Sequence, residues 1–240
     1  MEKLYLIPGT MCNEQLWKKL VPYLETQFDL VHLPIPNVDN VDEMLTTLLA
    51  ALVEEKVQLV GFSLGGYLAA YLASKYPEKI ARLFVIANSP CSLNTDELQQ
   101  RTDILAWVNQ HGYSGISQKR ALAMLDNPSN EGASIDHEQR VKQAIYTIVT
   151  MDKDLGESVL IQQLTSTSHR KDLTDELSKV NSPIVFYCSE KDPLINQQWL
   201  KHFCHNNKNA HATIVPGSCH MLPLEYPQAL ANSIIDWANN

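Results

Sequence analysis

The sequence predicts an α/β fold, with a mostly parallel sheet flanked by helices and a helical insertion between two strands. Short apolar runs rich in β-branched residues alternate with longer segments whose apolar residues recur every three or four positions. Several runs are apolar throughout, as expected for strands that helices cover on both faces. One long segment breaks this alternation and contains helical patterns only.

Six runs bounded by turn-forming or polar residues are predicted strands. They lie at residues 4–7, 30–33, 57–60, 83–87, 183–188 and 212–215. Five segments with helical periodicity are predicted to cover the sheet. They lie at residues 15–24, 41–53, 64–76, 196–205 and 227–238.

The segment at 91–179 is predicted to be a helical cap. Its four helical patterns lie at 96–110, 115–126, 136–148 and 154–166. A crossover between parallel strands needs only about a dozen residues, so most of this segment is surplus to the sheet. We therefore predict a core domain made of residues 1–90 and 180–240, with the cap inserted in it.

Composition and charge exclude several functional classes. The 240 residues are 45% hydrophobic and carry a net charge of −8, which makes nucleic acid and anionic membranes poor partners. The longest uncharged stretch, 57–74, contains a Gly-Gly pair and polar residues, so no membrane span is expected. Five scattered cysteines and an N-terminus without an export-signal pattern favour a cytoplasmic protein with reduced thiols.

Ser63 is the predicted nucleophile. It stands in Gly61-Phe62-Ser63-Leu64-Gly65, between a predicted strand and a predicted helix, which is the context that the G-x-S-x-G motif requires. The glycines permit a tight turn that exposes the hydroxyl at a helix N-terminus. A chance match is the alternative, and the flanking strand and helix argue against it.

A serine nucleophile needs a histidine that takes its proton and a carboxylate that orients this histidine. Asp192 follows the predicted strand at 183–188 and precedes Pro193, and Glu190 is its competitor. His220 follows the last predicted strand. The order Ser, Asp, His is the one that such a strand-turn-helix nucleophile uses, so we predict Asp192 as the acid and His220 as the base.

Two backbone N–H groups are predicted to hold the oxyanion. One belongs to Leu64, directly after the nucleophile, and the other to Thr10, in the loop after the first strand, with Met11 as the fallback. This chemistry requires neither a metal nor an organic cofactor. His202, Cys204 and His205 lie close together in sequence, but they point in different directions on a helix, which favours an incidental cluster over a zinc site.

Apolar and aromatic residues of the cap are candidate contacts for the substrate, and packing within the cap is the alternative for each of them. Together with Met11, they are Trp107, Tyr113, Met124, Tyr146 and Met151. The partner that this arrangement predicts is a small-molecule acyl substrate.

Four segments, in this order, resemble the α/β-hydrolase superfamily and in particular its small, cap-bearing serine esterases and carboxyl hydrolases. They are residues 8–11 with Trp17 following, 61–66, 191–193 and 217–225. Arg170-Lys171-Asp172 is similar to an Arg-x-Asp of related hydrolases, to which a structural role is assigned. Pro8 stands where many relatives have a histidine, but the oxyanion donors are main-chain groups and should survive this change.

The resemblance implies a serine hydrolase that cleaves a carboxylic ester, thioester or lactone of a small, largely apolar substrate through an acyl-enzyme on Ser63. Serine at this position excludes haloalkane dehalogenase and epoxide hydrolase chemistry as main activities. Two alternatives remain open. One is carbon–carbon bond hydrolysis or a lyase reaction on the same triad, and the other is a ligand-binding receptor of the same fold. The oligomeric state is not indicated by the sequence.

Overall fold

A six-stranded sheet forms the centre of the computed structural model, which describes residues 1–126, 135–217 and 219–239. The strands are β1 (Glu2–Ile7), β2 (Phe28–His32), β3 (Val57–Phe62), β4 (Ile80–Ile86), β5 (Ile184–Ser189) and β6 (Ala210–Val215). All neighbouring strands are parallel, in the order β2-β1-β3-β4-β5-β6. The order reverses between β1 and β3, which creates a crevice at the carboxyl edge where open α/β sheets bind ligands.

At least one helix follows each strand in sequence, and the last two helices come after β6. They are α1 (Val21–Leu24), α2 (Val41–Ala51), α3 (Leu64–Lys75), α4 (Thr95–His111), α5 (Gln118–Leu122), α6 (Ile135–Thr167), α7 (Thr174–Leu177), α8 (Gln197–Asn206), α9 (Leu222–Glu225) and α10 (Pro227–Asn239). The predicted α/β fold and all six predicted strands are confirmed.

Alternate strand residues face two separate buried clusters. Leu4 and Leu6 of β1 pack on the face that α10 covers, whereas Tyr5 and Ile7 pack on the face that α2, α3 and α8 cover. All six residues of β3 are buried, because this strand is central and covered on both faces. The period-two alternation thus builds one core on each side of the sheet.

Two predicted helices are shorter than expected. The segment 15–24 is a 3-10 turn at Glu14–Trp17 followed by α1, since Pro22 lies in the first turn of α1 and has no N–H with which to continue an earlier helix. The segment 115–126 contains only α5, which Ser117 caps at its N-terminus. The chain then turns at Ala123–Leu125 and runs towards the carboxyl edge of the sheet.

The cap consists of α4, α5 and α6, which lie between β4 and β5 and are helical as predicted. Gly156, with φ 74°, interrupts α6, close to the predicted gap between residues 148 and 154. Ala121, Ala144 and Ile148 of the cap belong to the same buried cluster as Phe62 of β3. The cap therefore packs directly on the sheet, and its predicted boundaries at 91 and 179 stay a prediction.

None of the helices in the described part of the chain is long and apolar enough to cross a lipid bilayer.

Candidate active site

Ser63 occupies a sharp turn between β3 and α3. Its φ is 51° and its ψ is −118°, a conformation that L-residues rarely adopt. A Cβ atom on Gly61 would lie 2.3 Å from the carbonyl oxygen of Gly65, and a Cβ on Gly65 would lie 2.3 Å from the carbonyl oxygen of Pro8. The two glycines are therefore required because backbones pass too close for any side chain, as the motif predicts.

Three side chains from three different loops meet above the sheet. His220 Nε2 lies 3.1 Å from Ser63 Oγ, and His220 Nδ1 lies 2.7 Å from Asp192 Oδ2. The other carboxylate oxygen of Asp192 accepts the backbone N–H of Leu194 at 3.0 Å. Asp192 and His220 are each only 3% exposed. The carboxylate is thus paired on both oxygens and aligns the imidazole with the serine hydroxyl.

Glu190, the competing acid, does not reach the histidine. Its side chain is exposed, and its backbone N–H donates to the carbonyl oxygen of Val215. The difference arises because Glu190 lies within the turn that follows β5, whereas Asp192 closes this turn with an N–H that donates to the carbonyl oxygen of Ser189. The geometry brings Asp192 to His220 and leaves Glu190 in solvent.

Thr10 and Leu64 both line the cavity at Ser63. Leu64 is the first residue of α3, so its N–H has no partner within the helix. The Thr10 N–H has no protein acceptor among the described residues. The fallback, Met11, donates its N–H to Gln163 Oε1 of the cap at 2.9 Å and is therefore already committed.

The cavity beside Ser63 has a volume of about 210 Å³ and a mixed lining. Its apolar walls include Phe62, Ile104, Met124, Leu164 and Met221. Its ionised lining residues are Glu97, Arg101 and Arg170. Glu97 and Arg101 were not among the predicted site residues, although they stand four positions apart on a predicted helix, and Arg170 was predicted to have a structural role only.

Of the six predicted substrate contacts, Met124 lines this cavity and five do not. Trp107 and Tyr146 are exposed on the outer side of the cap, where Trp107 stacks on His111. Tyr113 donates its hydroxyl hydrogen to the buried Asp152. The periodic pattern identified these segments as helices, but it does not tell which helix face turns towards the sheet.

The two remaining candidates are buried in packing contacts. Met151 is fully buried in the main core, and Met11 packs with Val108, Leu160 and Leu164 in a small cluster between the cap and the first loop. Met151 therefore serves packing, which was the alternative to substrate contact for each cap residue. Met11 contributes to the loop that carries Thr10 and does not face the cavity.

The loop that carries His220 is anchored to the end of the short cap helix. The carbonyl oxygen of Met124 accepts the N–H of His220 at 3.0 Å and that of Met221 at 3.3 Å. Asp126, two residues after Met124, donates its N–H to both carboxylate oxygens of Glu225, at 3.0 and 3.2 Å. Ser218, also in the predicted histidine loop, lies outside the described residues.

Glu225 is a buried carboxyl group only 8% exposed. Burial raises its pKa to about 7, and the neighbouring charge of Asp126 also raises it, whereas hydrogen bonds from Cys219 and the Asp126 N–H lower it. Glu225 belongs to the segment 217–225 that resembles the family, but its contact with the cap at Asp126 was not predicted. A sequence signal for its burial was present, because Glu225 directly follows the apolar run Leu-Pro-Leu.

His202 and His205 are exposed on α8, and Cys204 is partly buried. Within the described ranges, no group of three or more His, Cys, Asp or Glu side chains is arranged to hold a metal ion.

A protein-family model described as alpha/beta hydrolase fold matches residues 7–227. The chain is also similar to pimeloyl-(acyl-carrier protein) methyl ester esterases. The protein from Yersinia enterocolitica is 24% identical over 98% of this chain and 92% of that one. The protein from Aeromonas hydrophila is 25% identical over 94% of this chain and 91% of that one.

Two solved structures resemble the whole chain. A thermophilic esterase from Thermogutta terrifontis superposes with a TM-score of 0.80 at 19% identity, covering 100% of this chain and 90% of that one. An enol-lactonase from Burkholderia xenovorans LB400 superposes with a TM-score of 0.77 at 13% identity, covering 100% and 92%. At such identities the likeness shows the fold. Because the family model also spans most of the sequence, the chain belongs to the alpha/beta hydrolase fold family.

Proposed function

We propose that the protein is a serine hydrolase that cleaves a carboxylic ester, thioester or lactone of a small substrate. The observation that carries the proposal is the continuous hydrogen-bonded chain from Ser63 Oγ through His220 to Asp192, with distances of 3.1 and 2.7 Å. The family and the names of the relatives support the coarser statement, an enzyme that hydrolyses ester bonds.

In the proposed mechanism, His220 Nε2 takes the proton of Ser63 as the serine oxygen attacks the carbonyl carbon. The N–H groups of Thr10 and Leu64 hold the oxyanion. His220 then gives the proton to the leaving oxygen or sulfur, which leaves an acyl-enzyme on Ser63. A water molecule, deprotonated by the same histidine, attacks the acyl carbon. The bond to Ser63 Oγ then breaks, His220 returns the proton to Oγ, and the acid is released.

Asp192 is proposed to hold the neutral imidazole with its proton on Nδ1, so that Nε2 is free to accept. It also stabilises the imidazolium that forms during each attack. Its burial supports this role, because a charge-assisted hydrogen bond is stronger where water is excluded.

The size of the cavity supports a small acyl or alcohol group. Its volume of about 210 Å³ lies below the range of roughly 300–1,000 Å³ that is typical of drug-sized ligands. Since cap residues such as Ile104 and Leu164 form part of its wall, we propose that the cap sets the substrate preference.

Hydrolysis of p-nitrophenyl esters from acetate to decanoate tests the proposal. We expect turnover by the wild type, with short chains preferred, and almost none by Ser63→Ala. Ser92→Ala, which changes an exposed serine at the start of the cap, is the matched control and should retain wild-type rates. Equal rates for the wild type and Ser63→Ala would contradict the proposal. Lack of ester turnover by a wild type that still reacts with a fluorophosphonate would favour carbon–carbon bond hydrolysis, a lyase or a receptor.

A further inference from the structure

Two arginines line the same cavity as Ser63. Arg101 projects from the cap helix α4, and Arg170 lies between α6 and α7. Glu97, one turn before Arg101 on α4, is the only carboxylate among the lining residues that the structure describes. The ionised groups that line the cavity therefore carry one excess positive charge, in a chain whose net charge is −8.

Most of the hydrogen-bond donors of these two side chains are unused. Each guanidinium carries five N–H donors. Arg101 donates from one Nη atom to Thr167 Oγ1 at 3.0 Å and from the other to Glu97 Oε1 at 3.2 Å. Arg170 donates from Nε to the carbonyl oxygen of Cys91 at 3.0 Å. Among the described residues, neither Nη atom of Arg170 has a protein acceptor.

The two guanidinium groups are held in place by protein contacts. The Arg101 side chain is 12% exposed, and the Arg170 guanidinium lies over the ring of Tyr67, 5.0 Å from its centroid. Burial lowers the pKa of Arg170, and the nearby charge of Arg101 lowers it further, while Glu97 raises it. Two positive charges thus share a partly enclosed space with a single carboxylate, and a bound anion would offset both their repulsion and their lost hydration.

Asn88 adds a further polar group to the same wall. It is 6% exposed, it lines the cavity, and its side-chain oxygen is buried without a hydrogen-bond partner. The sequence predicted a small, largely apolar substrate. A purely apolar ligand would leave the unused N–H donors of the two arginines unpaired, which is costly in a buried site. The Asn88 oxygen is an acceptor, so it takes no part in binding an anion.

We infer that the ester substrate carries a second group, a carboxylate, which Arg101 and Arg170 bind while Ser63 attacks the ester. This inference rests on the proposed function, because it assigns the substrate class of that same site. A carboxylate fits better than a phosphate, since one excess positive charge matches a monoanion. The planar fork of arginine also matches the two oxygens of a carboxylate.

Matched ester pairs test the inference directly. Ethyl hydrogen succinate and ethyl butyrate differ by replacement of a terminal methyl group with a carboxylate, as do ethyl hydrogen adipate and ethyl hexanoate. We expect kcat/KM of the wild type to favour the charged member of at least one pair by about tenfold or more, the size of a charge-assisted hydrogen bond. No preference for the charged member of either pair would overturn the inference.

A variant of Arg101 tests whether this arginine is the source of the preference. Arg101→Gln should lower the ratio of kcat/KM for the charged and neutral esters by about tenfold. Arg120→Gln removes the same charge from an exposed site on α5 and should leave the ratio at the wild-type value. An unchanged ratio in Arg101→Gln would overturn the assignment.

Inhibition of the wild type needs no variant and covers the case in which Arg101→Gln does not fold. Glutarate should compete with ethyl butyrate, whereas the neutral glutaramide should not. Stronger inhibition by inorganic phosphate than by glutarate would overturn the carboxylate assignment.

Labelling of Ser63 by a fluorophosphonate, measured in parallel, separates the carboxylate inference from the proposed function. Labelling without a carboxylate preference refutes only this inference, and absence of labelling refutes the proposed function.

Discussion

Replacement of Glu225 by glutamine should change how the stability of the protein depends on pH. The carboxyl group is 8% exposed and accepts the N–H of Asp126, which ties the cap to the loop of His220. Its folded-state pKa is raised to about 7, chiefly by burial, from an ordinary value of 4.5. Glutamine has nearly the same shape, keeps an oxygen that accepts the Asp126 N–H, and carries no charge.

The magnitude follows from the shift in pKa. Because the pKa is higher in the folded than in the unfolded chain, the favourable contribution of the protonated group is complete below about pH 4.5 and is lost as pH rises through about 7. At about 1.36 kcal/mol per unit, the loss amounts to roughly 3 kcal/mol between those limits. Glu225→Gln does not undergo this loss, so its free energy of unfolding should rise relative to that of the wild type over this range.

Urea unfolding at intervals from pH 4.5 to 8 measures the difference. Glu190→Gln, which changes an exposed carboxylate beside the active site, is the matched control and should follow the wild-type curve to within about 0.5 kcal/mol. A difference between Glu225→Gln and the wild type that stays constant across this range would refute the argument, because it would mean that Glu225 titrates alike in the folded and unfolded chains.

Three other predictions concern the active site. Asp192→Asn should lower kcat for p-nitrophenyl acetate by about 10⁴-fold, and Glu190→Gln should not lower it; the reverse result would assign the acid to Glu190. Gln163→Ala leaves the Met11 N–H unpaired and should lower kcat/KM by about tenfold; a wild-type value of kcat/KM in this variant would contradict the role of Gln163 in positioning the loop of Thr10. Gly65→Ala should prevent folding or lower the melting temperature sharply in thermal unfolding, since the new Cβ would lie 2.3 Å from a backbone oxygen; a wild-type melting temperature would show that the turn can relax.

The sheet was predictable from the sequence because its signals are local. Apolar runs such as 57–60 are buried on both faces and end at the glycine-bounded turn that holds Ser63. The starts of two helices were not predictable from apolar spacing, which suggested longer helices. Pro22 lacks the N–H that an earlier start of α1 would need, and Ser117 caps the N-terminus of α5.

The meeting of Ser63, Asp192 and His220 was predictable because each of them follows a strand, and the carboxyl ends of parallel strands meet at one edge of the sheet. The choice of Asp192 over Glu190 as the acid remains a prediction that the 2.7 Å contact with His220 supports. The cavity wall was not predictable. Whether Trp107 or Arg101 faces Ser63 depends on the rotation of α4 against the sheet, which tertiary packing decides and residue type does not reveal.

Covalent labelling of Ser63 tests the central claim most directly. Intact-protein mass spectrometry after exposure to a fluorophosphonate, followed by peptide mapping, should show one adduct per chain on the peptide that contains Ser63. Ser63→Ala should show none, and His220→Ala should react far more slowly, because the serine hydroxyl is a weak nucleophile without its base. A wild type that fails to react, or an adduct that persists in Ser63→Ala, would contradict an activated serine at the end of β3.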